Sequence, residues 1–84
     1  MVRELAASSK VVGGKQVRRA LNAGTAVYVF AAQDADPALT GPLVTAAQAA
    51  GIPVEQVPTM KQLGQQCGIA VGAAVAAIVS VLAE

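Results

Sequence analysis

The apolar positions of this chain change period several times along its length, and each change marks an element. Val11 and Val12 are β-branched and stop at Gly13-Gly14, which reads as a short strand ending in a turn. Lys15–Ala23 follows with Val17, Ala20 and Leu21 on one side and polar residues on the other, a helical spacing that Gly24 closes. Ala26–Ala32 (AVYVFAA) is apolar without alternation, as expected of a central strand covered on both faces. In the turn Gln33–Pro37, Asp36 can cap a helix, Pro37 suits a first helical position, and Asp34 can cap or hold the same turn. Gly41 and Pro42 interrupt the pattern that follows. The spacing predicts a turn at Pro37–Leu39 and then a helix capped by Thr40, with Pro42 in its first turn where no N–H bond is lost. Leu43, Ala46, Ala47 and Ala50 form its core face, and Gly51 and Pro53 end it. Val54–Val57 is a short strand. Thr59 and Gln62 form a capping box that opens a helix through Gln66 or Cys67, and Gly68 stops it. Ile69–Gly72 reads as a loop and Ala73–Val81 as a last strand, apolar on both faces. Met1–Ala7 can form a helical turn or two before all of these. Alternating strands and helices place the chain in the α/β class, a sheet with helices on both faces.

Composition narrows this further. At 84 residues the chain is one domain, and a 55% hydrophobic, 13% charged composition excludes a disordered tail. Nineteen alanines and thirteen valines, with Tyr28 and Phe30 as the only aromatics, require a tightly packed core of small side chains. The absence of His removes the common catalytic triads, imidazole acid–base chemistry and the usual zinc hydrolase sites. Cys67 is the single cysteine, so neither an internal disulfide nor a four-Cys metal site can form. A lone thiol fits a reducing cytosol. Ile69–Ala83 is uncharged over fifteen residues and carries a Gly68/Gly72 GxxxG spacing. A spanning helix needs about 20 apolar residues, so a buried strand behind a Gly-rich loop is the better reading. Arg3, Glu4, Lys10, Lys15, Arg18 and Arg19 leave no apolar signal-peptide core near the start.

Charge adds a direction. Residues 5–33 hold Lys10, Lys15, Arg18 and Arg19 and no acid, a local charge of +4, whereas residues 34–84 carry a local −3. An acid-free basic stretch suggests an anionic partner, most often nucleic acid. Gly13–Arg19 (GGKQVRR) is the most informative part of it. Two glycines at a strand-to-helix junction expose the unpaired first N–H groups of a helix to an anion, at its positive dipole end. Lys15, Arg18 and Arg19 share one helix face there, opposite Val17, Ala20 and Leu21. The segment is not a nucleotide P-loop, because Ser9 and Gln16 stand where that motif requires Gly and Ser or Thr. With no aromatic platform for stacking single strands, bound RNA would be gripped by backbone N–H groups, basic side chains and Gln16 acting on a preformed shape. Asp34 and Asp36 have no nucleophile–base pair beside them and read as turn and cap residues. Cys67, at the C-terminal end of a helix where the dipole disfavours a thiolate, reads as a small packing residue.

Three strings taken together resemble one family. Val11–Leu21 (VVGGKQVRRAL) resembles the RNA-binding motif of the ribosomal protein family that includes the archaeal large-subunit protein L7Ae and its L30e relatives. Ala31–Pro37 resembles its second signature, and Leu63-Gly64, Cys67-Gly68 and Gly72-Ala73-Ala74 resemble its third. The similarity runs over about residues 8–81 and is closest to the short bacterial YbxF-like branch. It implies a three-layer α-β-α sandwich with a small mixed four-stranded sheet. It also implies binding to kink-turn RNA, a sharply bent helix–internal loop–helix with sheared G·A pairs beside a bulge. Carried over residue by residue, Gly13 and Gly14 give close backbone approach. Lys15 stands where many relatives have Asn, Gln16 where they have Glu, and Arg19 where they have Lys. Lys15 and Gln16 can still reach base edges and Arg19 a phosphate. Ile69, Ala70 and Val71 correspond to an apolar loop that packs on the bulged nucleotides. Arg18 on the basic face, and Asp36, Met60 and Lys61 near an extruded base, complete the candidate contacts, with Met60 replacing a Lys common in the family.

The resulting expectation is a non-enzymatic, monomeric, cytoplasmic protein that binds kink-turn RNA of ribosomal or regulatory origin. No catalytic residue, cofactor, metal or membrane is expected. The alternative is a protein-interaction module that keeps the fold and has lost RNA binding.

Overall fold

A computed structural model of the chain describes residues 9–79. The turns expected at Met1–Ala7, and the end of the last strand at Val81, lie outside the described residues. The element order is β1 (Lys10–Val12), α1 (Gly14–Ala23), β2 (Ala26–Ala32), α2 (Pro37–Ala49), β3 (Val54–Val57), α3 (Met60–Cys67) and β4 (Val75–Val79). The sheet order is β1-β4-β2-β3. β4 runs antiparallel to both β1 and β2, and β2 runs parallel to β3, so the sheet is mixed.

Each face of the sheet is covered, as two-sided apolarity requires. Val75 and Ala77 point to one side with Val29, where they meet Val17 and Ala20 of α1 and Leu43 and Ala47 of α2. Ala76 and Ile78 point to the other side with Phe30 and Ala32, where Leu63 and Cys67 of α3 pack. The result is the expected α-β-α sandwich. A register slip between Ala26 and Tyr28 inserts an extra residue into β2. It lets Ala26 and Val29 share the α1/α2 side although they are three apart, and leaves Val27 exposed.

The start of α2 corrects the sequence reading. The helix is continuous from Pro37, and Thr40 lies inside it rather than capping it. Asp36 is the N-cap: its Oδ1 accepts the Ala38 N–H at 2.9 Å, and the Thr40 N–H reaches the Asp36 carbonyl at 3.1 Å. Pro42 is tolerated because it sits on the solvent side. The carbonyl it leaves without an N–H is that of Ala38, also exposed, where water can serve. Asp36→Ala is expected to lower stability by about 1 kcal/mol, the usual worth of such a cap. Urea unfolding reads this, and an unchanged midpoint would remove Asp36 from the capping role.

Cys67 is 2% exposed. Burial pushes its thiol above the usual range, and the Lys10 charge offsets only part of that. The folded state therefore keeps the thiol proton longer than the unfolded chain does. This contribution is fully present at neutral pH and is lost as pH climbs past the ordinary thiol value. Cys67 should resist thiol reagents at neutral pH until urea unfolds the chain, and Cys67→Ala should cost about 1 kcal/mol. Rapid labelling under native conditions would place the thiol at the surface.

Candidate nucleic-acid interface

The topology brings all three helix starts to one edge of the sheet. β2 and β3 are parallel, and β1 and β2 are both antiparallel to the β4 strand between them. The C-terminal ends of β1, β2 and β3 therefore line up with the N-terminal end of β4. The Gly13 N–H donates to the Val75 carbonyl at 2.9 Å and the Ala32 N–H to the Ala74 carbonyl at 2.8 Å. These bonds place the segment leading into β4 between the β1–α1 and β2–α2 turns.

The three starts differ in how their first N–H groups are satisfied. At α2, Asp36 accepts from Ala38. At α3, Thr59 Oγ1 accepts from Gln62 at 3.0 Å, and Asp34 Oδ1 accepts the Met60 N–H at 2.8 Å. Asp34 thus holds a helix 26 residues away rather than its own turn. At α1 the cap residue is Gly13, which has no side chain, and the first turn contains no acid. The helical ladder begins with the Val17 N–H on the Gly13 carbonyl at 3.0 Å. The N–H groups of Gly14, Lys15 and Gln16 precede that bond and have no partner within the helix. Lys15, Gln16, Arg18 and Arg19 are exposed, while Val17 and Ala20 are buried, as the helical spacing predicts.

The glycines divide the work differently from the simplest reading. Gly13 holds φ +99° and ψ 153°, a region open essentially to glycine alone. Gly14 is the first helical residue, and a Cβ there would stand 2.9 Å from Leu39 Cδ1 of α2. The backbone strain therefore belongs to Gly13, and Gly14 serves helix–helix approach.

The apolar loop also divides. Ile69 is half-buried against the α3-side core, whereas Ala70 is exposed and Val71 is 70% exposed. Two glycines seat the loop on α3. A Cβ on Gly64 would overlap the Val71 carbonyl, and one on Gly72 would lie 3.2 Å from Met60 Cβ. Met60 and Lys61, at the start of α3, are both exposed beside it. Asp36 is exposed on the same edge, with Oδ1 engaged in its cap. Every candidate contact thus lies on the cap and first two turns of α1, on the cap of α2, on the first turn of α3 or on the loop before β4. The sequence pattern did not reveal the roles of Asp34, Gly64 and Gly72. The Asp34 partner is 26 residues away, and the contacts of Gly64 and Gly72 depend on how the loop after α3 folds back on that helix.

Among the described residues, no three His, Cys, Asp or Glu side chains come together in a way that could hold a metal ion. Nor is any helix among them long and apolar enough to cross a membrane. The uncharged run after Gly68 enters the loop and β4 instead.

The model of the Ribosomal protein L7Ae/L30e/S12e/Gadd45 family matches residues 2–83. This chain belongs to that family. Within it, an RNA-binding protein of Geobacillus sp. (strain WCH70) is 48% identical over 75 residues, covering 89% of this chain and 92% of that protein. The RNA-binding protein YbxF of Geobacillus stearothermophilus is 46% identical over 74 residues, 88% of this chain and 90% of its own. Among solved structures, the Giardia lamblia 15.5kD RNA binding protein is similar with a TM-score of 0.80 at 29% identity. That similarity covers 89% of this chain and 63% of the Giardia protein, so this chain spans less than two thirds of its length. Membership of the L7Ae/L30e/S12e/Gadd45 family agrees with the mixed four-stranded sandwich and with the three signatures read from the sequence.

Proposed function

We propose that this chain is a non-enzymatic RNA-binding protein that recognises kink-turn RNA. One observation carries the reading. An acid-free, basic helix start without a side-chain cap and an exposed apolar loop sit on the same sheet edge. A sheared G·A pair in a widened groove presents base-edge acceptors and donors, which suit Lys15 and Gln16. Flanking phosphates suit the α1 N–H groups, Arg18 and Arg19. Bulged bases, unstacked from their neighbours, offer apolar faces that Ala70 and Val71 can cover. Asp36, Met60 and Lys61 lie where an extruded base would arrive. Names of the relatives point the same way, since those described above are RNA-binding proteins.

Such a protein acts by mass action. It binds the bent RNA and not the extended one, so it favours the bent state by its differential affinity. No proton transfer or covalent step is involved. Short edge strands support a monomer: β3 has four residues, lies between Pro53 and Pro58, and exposes Glu55, all of which hinder edge-to-edge pairing. The place of action in this reading is the cytoplasm, on a ribosomal or regulatory RNA.

A gel shift with a kink-turn RNA and with a version whose G·A pairs are replaced by Watson–Crick pairs tests the proposal. The kink-turn should bind at least about tenfold tighter, the worth of one lost base contact. Equal binding to both would reduce the site to a non-specific basic patch. Absence of binding by the folded protein would favour the protein-interaction alternative.

A further inference from the structure

Asp34 is outside the set of residues expected to touch RNA, yet it is tied to one of them. Its Oδ1 accepts the Met60 N–H at 2.8 Å, from the turn after β2 to the first residue of α3. The Met60 carbonyl in turn accepts the Ala73 N–H at 3.0 Å. Gly72 lies against the same residue, so close that an added Cβ would be 3.2 Å from the Met60 carbonyl carbon. On the loop's other side, the Val71 carbonyl occupies the space above Gly64. A continuous chain of contacts therefore runs from Asp34 through Met60 to Gly72 and Ala73, and fixes where Ala70 and Val71 stand. The Asp34 side chain accepts this bond at the positive end of a helix, where an acceptor is favoured.

We propose that Asp34 is a positioning residue for RNA recognition: through the Met60 N–H it holds the apolar loop in the one placement that meets a bulge. The inference rests on the kink-turn reading given above. Without Asp34 the loop samples other placements, and affinity falls in proportion to the fraction of time spent in the competent one. The effect is confined to RNA that has a bulge, because the start of α1 is bonded to β4 through the Gly13 N–H and the Val75 carbonyl and makes no bond to Asp34 or Met60.

The test compares three RNAs: the kink-turn, the same G·A pairs without the bulge, and the Watson–Crick version. Asp34→Ala should weaken kink-turn binding on the order of tenfold and leave the bulge-less RNA unchanged. Asp34→Asn, which keeps the Oδ1 acceptor, should stay within about twofold of the wild type. In the free protein, Asp34→Ala should shift the amide resonances of Val71, Gly72 and Ala73. A second pair covers the case in which Asp34→Ala fails to fold. Met60→Pro removes the N–H that Asp34 accepts at a position where proline suits a helix, and Met60→Ala removes the side chain but keeps the N–H. The proline variant should bind the kink-turn more weakly than the alanine variant. Equal weakening on bulged and bulge-less RNA, or no weakening on either, would overturn the positioning role while the kink-turn reading stands. If the wild type prefers neither the bulge nor the G·A pairs, the reading and this inference fall together.

Discussion

Gly64→Ala is expected to destabilise the fold by about 3 kcal/mol, at the upper end of what overpacking of a tight site costs. The reason is the neighbour. The space a Cβ would take is filled by the Val71 carbonyl, a backbone atom that no rotamer change can move. Gly64 is also buried in α3, one residue after Leu63, which is fully enclosed. Relief therefore requires either α3 or the loop to shift, and the loop, with Val71 70% exposed, is the side with less packing to lose. The variant should unfold at lower urea concentration and bind the kink-turn more weakly even where it remains folded. Gly14→Ala makes a contrast. The Cβ there meets the end of the exposed Leu39 side chain, which can rotate away, so its stability should change by well under 1 kcal/mol. Equal loss in the two variants would mean that the loop does not sit on α3 as described.

The second large effect separates Arg19 from Gln16. Arg19 lies more than one turn into α1, exposed, with a long charged arm suited to a phosphate flanking the bend. Gln16 is in the first turn beside the N–H groups that have no partner within the helix, nearest to where a groove floor would lie. Arg19→Ala should weaken binding to every kink-turn sequence alike and lower the slope of log affinity against log salt by about one. Gln16→Ala should leave that slope nearly unchanged, because the residue carries no charge. It should instead narrow the gap between the kink-turn and the Watson–Crick version by about 1–3 kcal/mol. A salt titration of both variants on both RNAs measures this. A common change in slope with discrimination intact would contradict this division of roles and reduce the site to a non-specific basic patch.

What could be read from the chain was whatever depends on local pattern. β2 is found where AVYVFAA placed it, because a strand buried on both faces cannot alternate. α1 and α3 end at Gly24 and Gly68 as the glycines indicated. The basic face of α1 follows from helical spacing alone. The start of α2 was misread because Gly41 and Pro42 are helix breakers by propensity, and the sequence does not say that they face water. β4 begins at Val75 rather than Ala73, since the Ala73 N–H is spent on the Met60 carbonyl. The strained glycine of the turn is Gly13 and not its neighbour, a distinction that a Gly-Gly pair cannot show. Asp34 meets Met60 because β2 and β3 lie side by side, and Gly64 and Gly72 meet their partners because the loop after α3 folds back on that helix, so their roles needed the fold. The resemblance identified the family and named candidate contacts, and left their joint geometry to the structure.

The most direct measurement is an NMR titration of the isotope-labelled protein with kink-turn RNA. Amide shifts should concentrate at Gly13–Arg19, at Ala70–Gly72 and at the first turn of α3, saturating together at one RNA per protein. The far edge, Gly24–Thr25 and Gly51–Ile52, should stay still. Shifts centred on that far edge, or spread evenly over every basic residue, would contradict the placement of the RNA site.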